Sequence, residues 1–347
     1  MTTGPGSCFE DPTELITTNP IEIIHKTTGS SVEASKSRGS VFYLHCAVIV
    51  IGLVGTALNG LILYALIASQ QHKKQVLIFN QNLLDFVGCF FLGTSYLAKL
   101  FHIDLNGTQG YWLCLTILSE GSSWGPFMSS MINLLAITIE RYLKVVHPVY
   151  AKKRLRKWMI YLTVVCAWIG GTSVAVGVTV STTNVVGGVC YTQVFWKSQT
   201  ARMAYGIWHF LSFYVILVVI FFVCYGRIFV AIRRQARVMA AYSASGSNTT
   251  QTQSKKIKTN IIKTMVLVSV LFTVTLAPGK IYFFLANVYD EFTIRETTFY
   301  TVLVVGYLYI CINPFIYAIN FDPVRRVLLR LIPCKKTIQP VESIEMT

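Results

Sequence analysis

Charge is what this chain has least of. Only 13% of its 347 residues are charged, about half the share of a soluble globular domain. That shortage argues against a soluble enzyme, and 53% hydrophobic residues exclude a disordered chain. Acids are scarcer still, 15 Asp and Glu against 30 Lys and Arg. The excess of base does not point to a nucleic-acid partner, because it falls in short clusters between long apolar stretches. The nine cysteines form no CxxC pair and no His/Cys cluster, so a structural zinc site has no ligands. Walker, HExxH and GxSxG patterns are missing, and no connection is long enough to hold a catalytic domain. No inverted repeat is evident, and an odd number of spans forbids the two equal halves of many transporters.

What the chain does have is seven apolar segments, at 41–69, 77–101, 112–143, 159–181, 203–232, 261–288 and 297–320. Each is long enough to cross a hydrocarbon core that needs about 20 helical residues. The expected fold is therefore an all-α membrane protein, a bundle of seven transmembrane helices. Residues 1–40 read as a loose extracellular tail with no signal-peptide stretch before them, 41–333 as the membrane domain and 334–347 as a cytosolic tail. The connections after spans one, three and five and the C-terminal segment carry most of the clustered base, such as Lys73, Lys74, Lys152, Lys153, Arg154, Arg233, Arg234, Arg325 and Arg326. The N-terminal tail and the other connections hold only Lys26, Lys36, Arg38, Lys197, Arg202 and Arg295. That asymmetry predicts an outside N-terminus and a cytosolic C-terminus. The sequon at Asn106 then faces outward as a glycosylation acceptor, and the one at Asn248 faces inward and stays bare.

Polar residues inside the spans carry the functional information, because a charge in hydrocarbon is costly and needs a partner or a task. Asp85 in span two, with Asn59, Ser130 and Asn313, would give the bundle a polar centre able to hold water or a small cation. Glu140-Arg141-Tyr142 sits at the cytosolic end of span three, where headgroup snorkelling explains the base but not the acid before it. Span seven ends in Asn313-Pro314-Phe315-Ile316-Tyr317, a Pro-interrupted helix with an amide before the break and a phenol one turn later. Cys114 and Cys190 sit where an oxidising compartment could join them, whereas Cys46, Cys89, Cys166, Cys224 and Cys311 read as small buried hydrophobes. Cys8 has no assigned role.

Taken in order, Asn59, Leu84-Asp85, Glu140-Arg141-Tyr142, Trp168, Tyr225, Pro278 and Asn313-Pro314-x-x-Tyr317 place one signature in each span. In this the chain resembles the rhodopsin-like G-protein-coupled receptors over roughly 41–333. The resemblance implies that Glu140 restrains Arg141 at rest, and that Arg141 is released to meet a G-protein α subunit, supported by Tyr225 and Tyr317. It implies a sodium ion as an allosteric ligand at Asp85, Ser130 and Asn313, with no other cofactor required. It also implies a Cys114–Cys190 disulfide, arrestin and receptor kinases as further partners, and a plasma-membrane location. Residues 323–332 alternate apolar and basic like a short amphipathic helix on the inner leaflet, with Cys334 placed for palmitoylation. The implied function is to pass the binding of an extracellular peptide, lipid or small organic ligand to a cytosolic heterotrimeric G protein. A seven-helix transporter or ion pathway is the alternative from another class.

Several positions depart from the family pattern. Leu58 stands where a glycine is usual, Leu276 replaces the aromatic residue before Pro278 with Thr275 beside it, and Leu217 lies near the place of the missing span-five proline. Lys258, where many members carry an acid that pairs with the span-three arginine, would repel Arg141, so ligand-independent activity is expected. Cys114 lies two residues farther from Arg141 than usual, a difference that a kink or bulge at Pro126 is expected to absorb. Tyr307 stands where an opsin carries its retinal lysine, which argues against photoreception, and Ser119–Trp124 contains no aspartate of the monoamine-receptor kind. Glu120 could take that part only if the shift turns it inward. Lys280 has two readings, an ion pair with Glu120 or recognition of an anionic or carbonyl-bearing ligand group. His209, Trp124, Phe283 and Tyr307 complete the candidate ligand contacts, although Trp124 and Phe283, like Trp208 and Tyr205, suit packing at least as well.

Overall fold

The computed structural model describes the backbone of residues 31–101, 103, 105–192, 196, 198–243, 249–289, 296–320 and 322–331. Side chains at 31–38, 40, 236–265, 296, 317, 319 and 320 lie outside the description. The seven expected spans are all helical. The first is Ser31–Ala68 and the second Val76–Lys99. The third runs from Gly107 to Val146, the fourth from Lys157 to Thr182 and the fifth from Gln199 to Ser243. The sixth is Thr249–Val288 and the seventh Glu296–Asn320. The short helix Asp322–Leu331 follows, as expected, and packs Val324 against the bundle beside the first and seventh spans. Asp322 in its first turn and Arg330 in its last complement its dipole.

The first helix begins at Ser31, inside the segment assigned to the loose tail, because extending a helix by one more bonded turn is easy once an apolar helix exists. For the same reason the polar run read as a connection between spans five and six is helical up to Ser243 and again from Thr249. Residues 244–248 are outside the described residues.

Lipid and packing divide the helices. Among the described residues, six helices are long and apolar enough to cross a membrane by composition alone, and the third span is not among them. It carries Ser123, Ser129, Ser130, Asn133, Thr138, Glu140 and Arg141, all buried, and lies against the second, fourth and fifth helices. The fourth is the opposite case, buried only at Ala167, Gly171, Ala175 and Thr182, with Ile169 and Leu162 facing outward. Close helix approach uses small residues, as expected without a hydrophobic drive between helices in lipid. A Cβ on Gly52 of the first span would lie 2.6 Å from the Gly93 backbone of the second.

The extra residues of the third span are absorbed before Pro126, not at it. Cys114–Leu118 forms a π-helical turn, and Glu120 adopts a left-handed backbone with φ 61° before the helix restarts at Gly121. Pro126 then sits in the continuing helix Gly121–Val146. A second π turn, Leu211–Val215, breaks the fifth span without any proline. Between the fourth and fifth spans a hairpin pairs β1 (Asn184–Val186) with β2 (Val189–Tyr191). Gly187 and Gly188 turn it with φ 58° and 78°, conformations that glycine supplies without strain.

Candidate functional site

Three polar sites lie along the third span. At the end that carries the hairpin, Cys114 and Cys190 are joined by a disulfide, which ties β2 to the π turn. Beside it a cavity of about 890 Å³, counting the part open to solvent, is lined by spans three to seven. Trp124, His209, Lys280, Phe283 and Tyr307 all line it. Glu120 does not line the cavity, although it is buried.

The ion pair that was one of the two readings of Lys280, with Glu120, is not formed. The break at Glu120 turns its carboxylate toward Lys99 of the second span, with which it forms a salt bridge, and places its other oxygen 3.5 Å from the Tyr307 hydroxyl. Lys99 is a partner that sequence reading missed; its place at the end of an apolar span, next to the one acid of the third span's break, was the available signal. Lys280 instead approaches His209, with Nζ 3.4 Å from Nε2, and lies 5.9 Å from the Phe127 ring centroid. His209 is walled by Tyr205, Phe213 and Phe283, and its Nδ1 has no hydrogen-bond partner among the described residues.

In the middle of the bundle, Asp85 is held by three side-chain donors. Ser130 Oγ donates to Oδ1 at 2.8 Å, Asn313 Nδ2 to Oδ2 at 3.1 Å, and Gln81 Nε2 lies 3.4 and 3.5 Å from the two oxygens and also bonds Ser130. The direction of this network is set from a distance. The Trp168 indole has only an N–H to offer, and it donates to Asn80 Oδ1 at 2.9 Å. Asn80 Nδ2 therefore donates to Asn133 Oδ1 at 2.9 Å, and Asn133 Nδ2 donates to Gln81 Oε1 at 2.8 Å and to the Leu77 carbonyl at 3.0 Å. Gln81 is left with only its N–H groups for Asp85 and Ser130. Sequence reading missed Gln81, Asn80 and Asn133, whose i, i+4 and cross-helix positions no single motif marks. Asn59 stands apart, donating to the Gly55 and Ile310 carbonyls at 2.9 and 3.3 Å.

This arrangement does not fit a sodium ion at Asp85. A hard cation is bound by oxygen lone pairs, whereas here the carboxylate oxygens already face N–H and O–H donors. Tyr309, buried and 3.3 Å from Ser130 Oγ, fills the remaining side of the cluster with its ring against Phe127 and Phe272.

At the far end of the third span, Arg141 meets Glu140 at 3.6 Å and donates from Nη2 to Gln75 Oε1 at 2.5 Å, while its Nε has no partner among the described residues. Glu140 is shared with Lys144, 2.5 Å away. Tyr225 links three spans, its hydroxyl lying 3.0 Å from Thr138 Oγ1 and 2.9 Å from Ser269 Oγ. Tyr142 lies outward, with its hydroxyl 3.3 Å from His147 Nε2. Asn313 and Pro314 are buried in the seventh helix, which continues through Pro314. The side chains of Tyr317 and Lys258 lie outside the described residues, as do Cys8 and Cys334. Asn106 is exposed and precedes the helix at Gly107 without capping it.

Known proteins share this architecture. Squid rhodopsin superposes with a TM-score of 0.68 over 85% of this chain and 87% of its own, at 16% identity. Melanopsin-A of Gadus morhua is 24% identical over 304 residues, 84% of this chain, although the chain spans only about half (52%) of its length. G-protein coupled receptor 15 of Mus musculus is 26% identical over 303 residues, 83% of this chain and 78% of its own. The family described as "7 transmembrane receptor (rhodopsin family)" matches residues 58–317, the stretch that holds the cavity, the Asp85 cluster and Arg141. The chain belongs to the rhodopsin family of seven-transmembrane receptors.

Proposed function

We propose that this multi-pass membrane receptor, which is not an enzyme, sits in the plasma membrane with the disulfide end outside and the Arg141 end in the cytosol. There it activates a heterotrimeric G protein when an extracellular peptide, lipid or small organic ligand occupies the cavity. The observation that supports this reading best is the continuity of buried groups from the cavity to the middle of the bundle. Phe127 and Tyr307 line the cavity, and Phe127 packs on Tyr309 at 5.8 Å between ring centroids. Tyr309 touches Ser130, Ser130 holds Asp85, and Asp85 holds Asn313 of the seventh helix. A ligand that shifts Phe127 or Tyr307 thus acts on a network joining the second, third and seventh helices.

The mechanism is linkage between two sites. A ligand that prefers the conformation with an opened cytosolic end favours the same conformation that the G protein prefers, and each raises the affinity for the other. Opening requires Arg141 to leave Gln75 and Glu140, and Tyr225 to exchange Thr138 and Ser269 for new partners. The restraint on Arg141 is slight, because Glu140 is divided between two cations and the other contact is a neutral amide. Some ligand-independent activity follows. The Asp85 network works as a hydrogen-bonded unit without sodium. Similarity to melanopsins and squid rhodopsin does not carry a chromophore across, since Tyr307 has no amine to bond one. Arrestin and receptor kinases are further expected partners, with glycosylation at Asn106 and palmitoylation at Cys334.

The test is to reconstitute the purified receptor in lipid and follow two signals, nucleotide exchange on an added G protein and flux of ions or solutes across the bilayer. Exchange without flux supports the receptor. Flux without exchange supports the transporter instead.

A further inference from the structure

The end of the cavity at Lys280 is rich in hydrogen-bond donors and has no acid among the described residues. If Lys280 is charged, it gives one of three N–H groups to His209 Nε2, which fixes that nitrogen as the acceptor and leaves the proton on Nδ1. Nδ1 has no partner, and the remaining ammonium hydrogens find no acceptor among the described residues. Glu120, the counter-ion that the sequence offered, is engaged by Lys99 and does not line the cavity. Both residues are buried, Lys280 at 6% and His209 at 4% exposure. Apart from Thr179, the rest of the wall is apolar or aromatic, including Phe127, Met128, Val178, Leu276 and Leu303. An ammonium stranded in such a place is costly unless an anion joins it.

From this geometry we infer that the ligand of the cavity is an amphiphilic monoanion, whose acidic head sits between Lys280 and His209 and whose apolar body fills the wall beyond them. This rests on the receptor reading above and narrows its ligand to one chemical class. A carboxylate brings the acceptors that Lys280 and His209 lack, and its hydrocarbon replaces water against Phe127 and Leu276. A cationic amine ligand would meet two donors and no acid. A neutral ligand would leave the ammonium uncompensated.

The test uses the full-length receptor in lipid nanodiscs without G protein, with decanoate and palmitate as probes and decanol and methyl decanoate as neutral counterparts. Wild type binds at least one acid and takes its neutral counterparts far more weakly. Lys280→Met weakens acid binding at least about thirtyfold, while Lys280→Arg retains most of it. Lys280→Met without probe melts no lower than wild type, because removing a stranded charge relieves the fold. Equal binding of acid and alcohol overturns the inference, as does an unchanged affinity in a folded Lys280→Met receptor. So does a wild type that binds neither acid at millimolar concentration. Retention of decanal in place of decanoate, fixed on Lys280 by borohydride reduction of the imine formed with loss of water, also overturns it. Failure here leaves the coupling proposal standing, since Arg141-dependent nucleotide exchange is measured separately and without probe.

Discussion

The Asp85 cluster and the Lys280–His209 pair are both buried polar sites in one bundle, and they differ in how completely they are satisfied. Every oxygen of Asp85 meets a donor, and the Gln81 amide that meets it is itself held, through Asn133 and Asn80, back to the Trp168 indole. Among the described residues, Lys280 meets one imidazole, and that imidazole has a nitrogen without a partner. Buried polar groups that are fully paired stabilise and fix a structure, whereas unpaired ones cost the whole desolvation of the group. The closed network therefore suits transmission between helices. The open pair, beside a cavity, suits recognition.

That contrast breaks most sharply at Asn133. Truncating it to Ala strands the Asn80 amide and the Gln81 side-chain carbonyl, for an expected loss of about 3–5 kcal/mol. Thermal unfolding of the purified receptor reads it, and a loss below about 1 kcal/mol would mean that the network is not a unit. A smaller effect separates the two lysines. In double-mutant cycles on stability, Lys99→Met with Glu120→Gln should couple by about 1–3 kcal/mol, whereas Lys280→Met with Glu120→Gln should add within about 0.5 kcal/mol. Coupling of Glu120 to Lys280 instead would restore the pair that the sequence suggested. The smallest effect is the most specific to the closed site. Replacing sodium by choline should change ligand affinity by less than the roughly fivefold that marks a coupled ion, and a larger shift would show that Asp85 does accept a cation.

The sequence made the scaffold legible because hydrocarbon thickness and motif order leave few alternatives. The seven spans, the disulfide and the terminal helix were all readable from the sequence. What was not readable depended on helix phase. Two residues inserted in the third span could be absorbed at Pro126 or earlier, and only the π turn at Cys114–Leu118 with the left-handed Glu120 decides that its carboxylate turns to Lys99. The Asp85 network was half visible for a similar reason. Asp85, Ser130 and Asn313 sit in recognisable patterns, but the amides that orient them, Gln81, Asn133 and Asn80, acquire meaning only when a tryptophan 88 positions away supplies the one-way donor. The same polarity kept the third span from standing out by composition, although it is packed between the second, fourth and fifth helices.

The central claim is that the buried end of the third span hands a signal to a G protein through Arg141. It is tested most directly by measuring nucleotide exchange on a purified heterotrimer with wild-type receptor and Arg141→Ala in the same lipid discs. The account predicts receptor-dependent exchange for wild type even without ligand, and none above the receptor-free rate for a folded Arg141→Ala protein. Full exchange by that variant would contradict it.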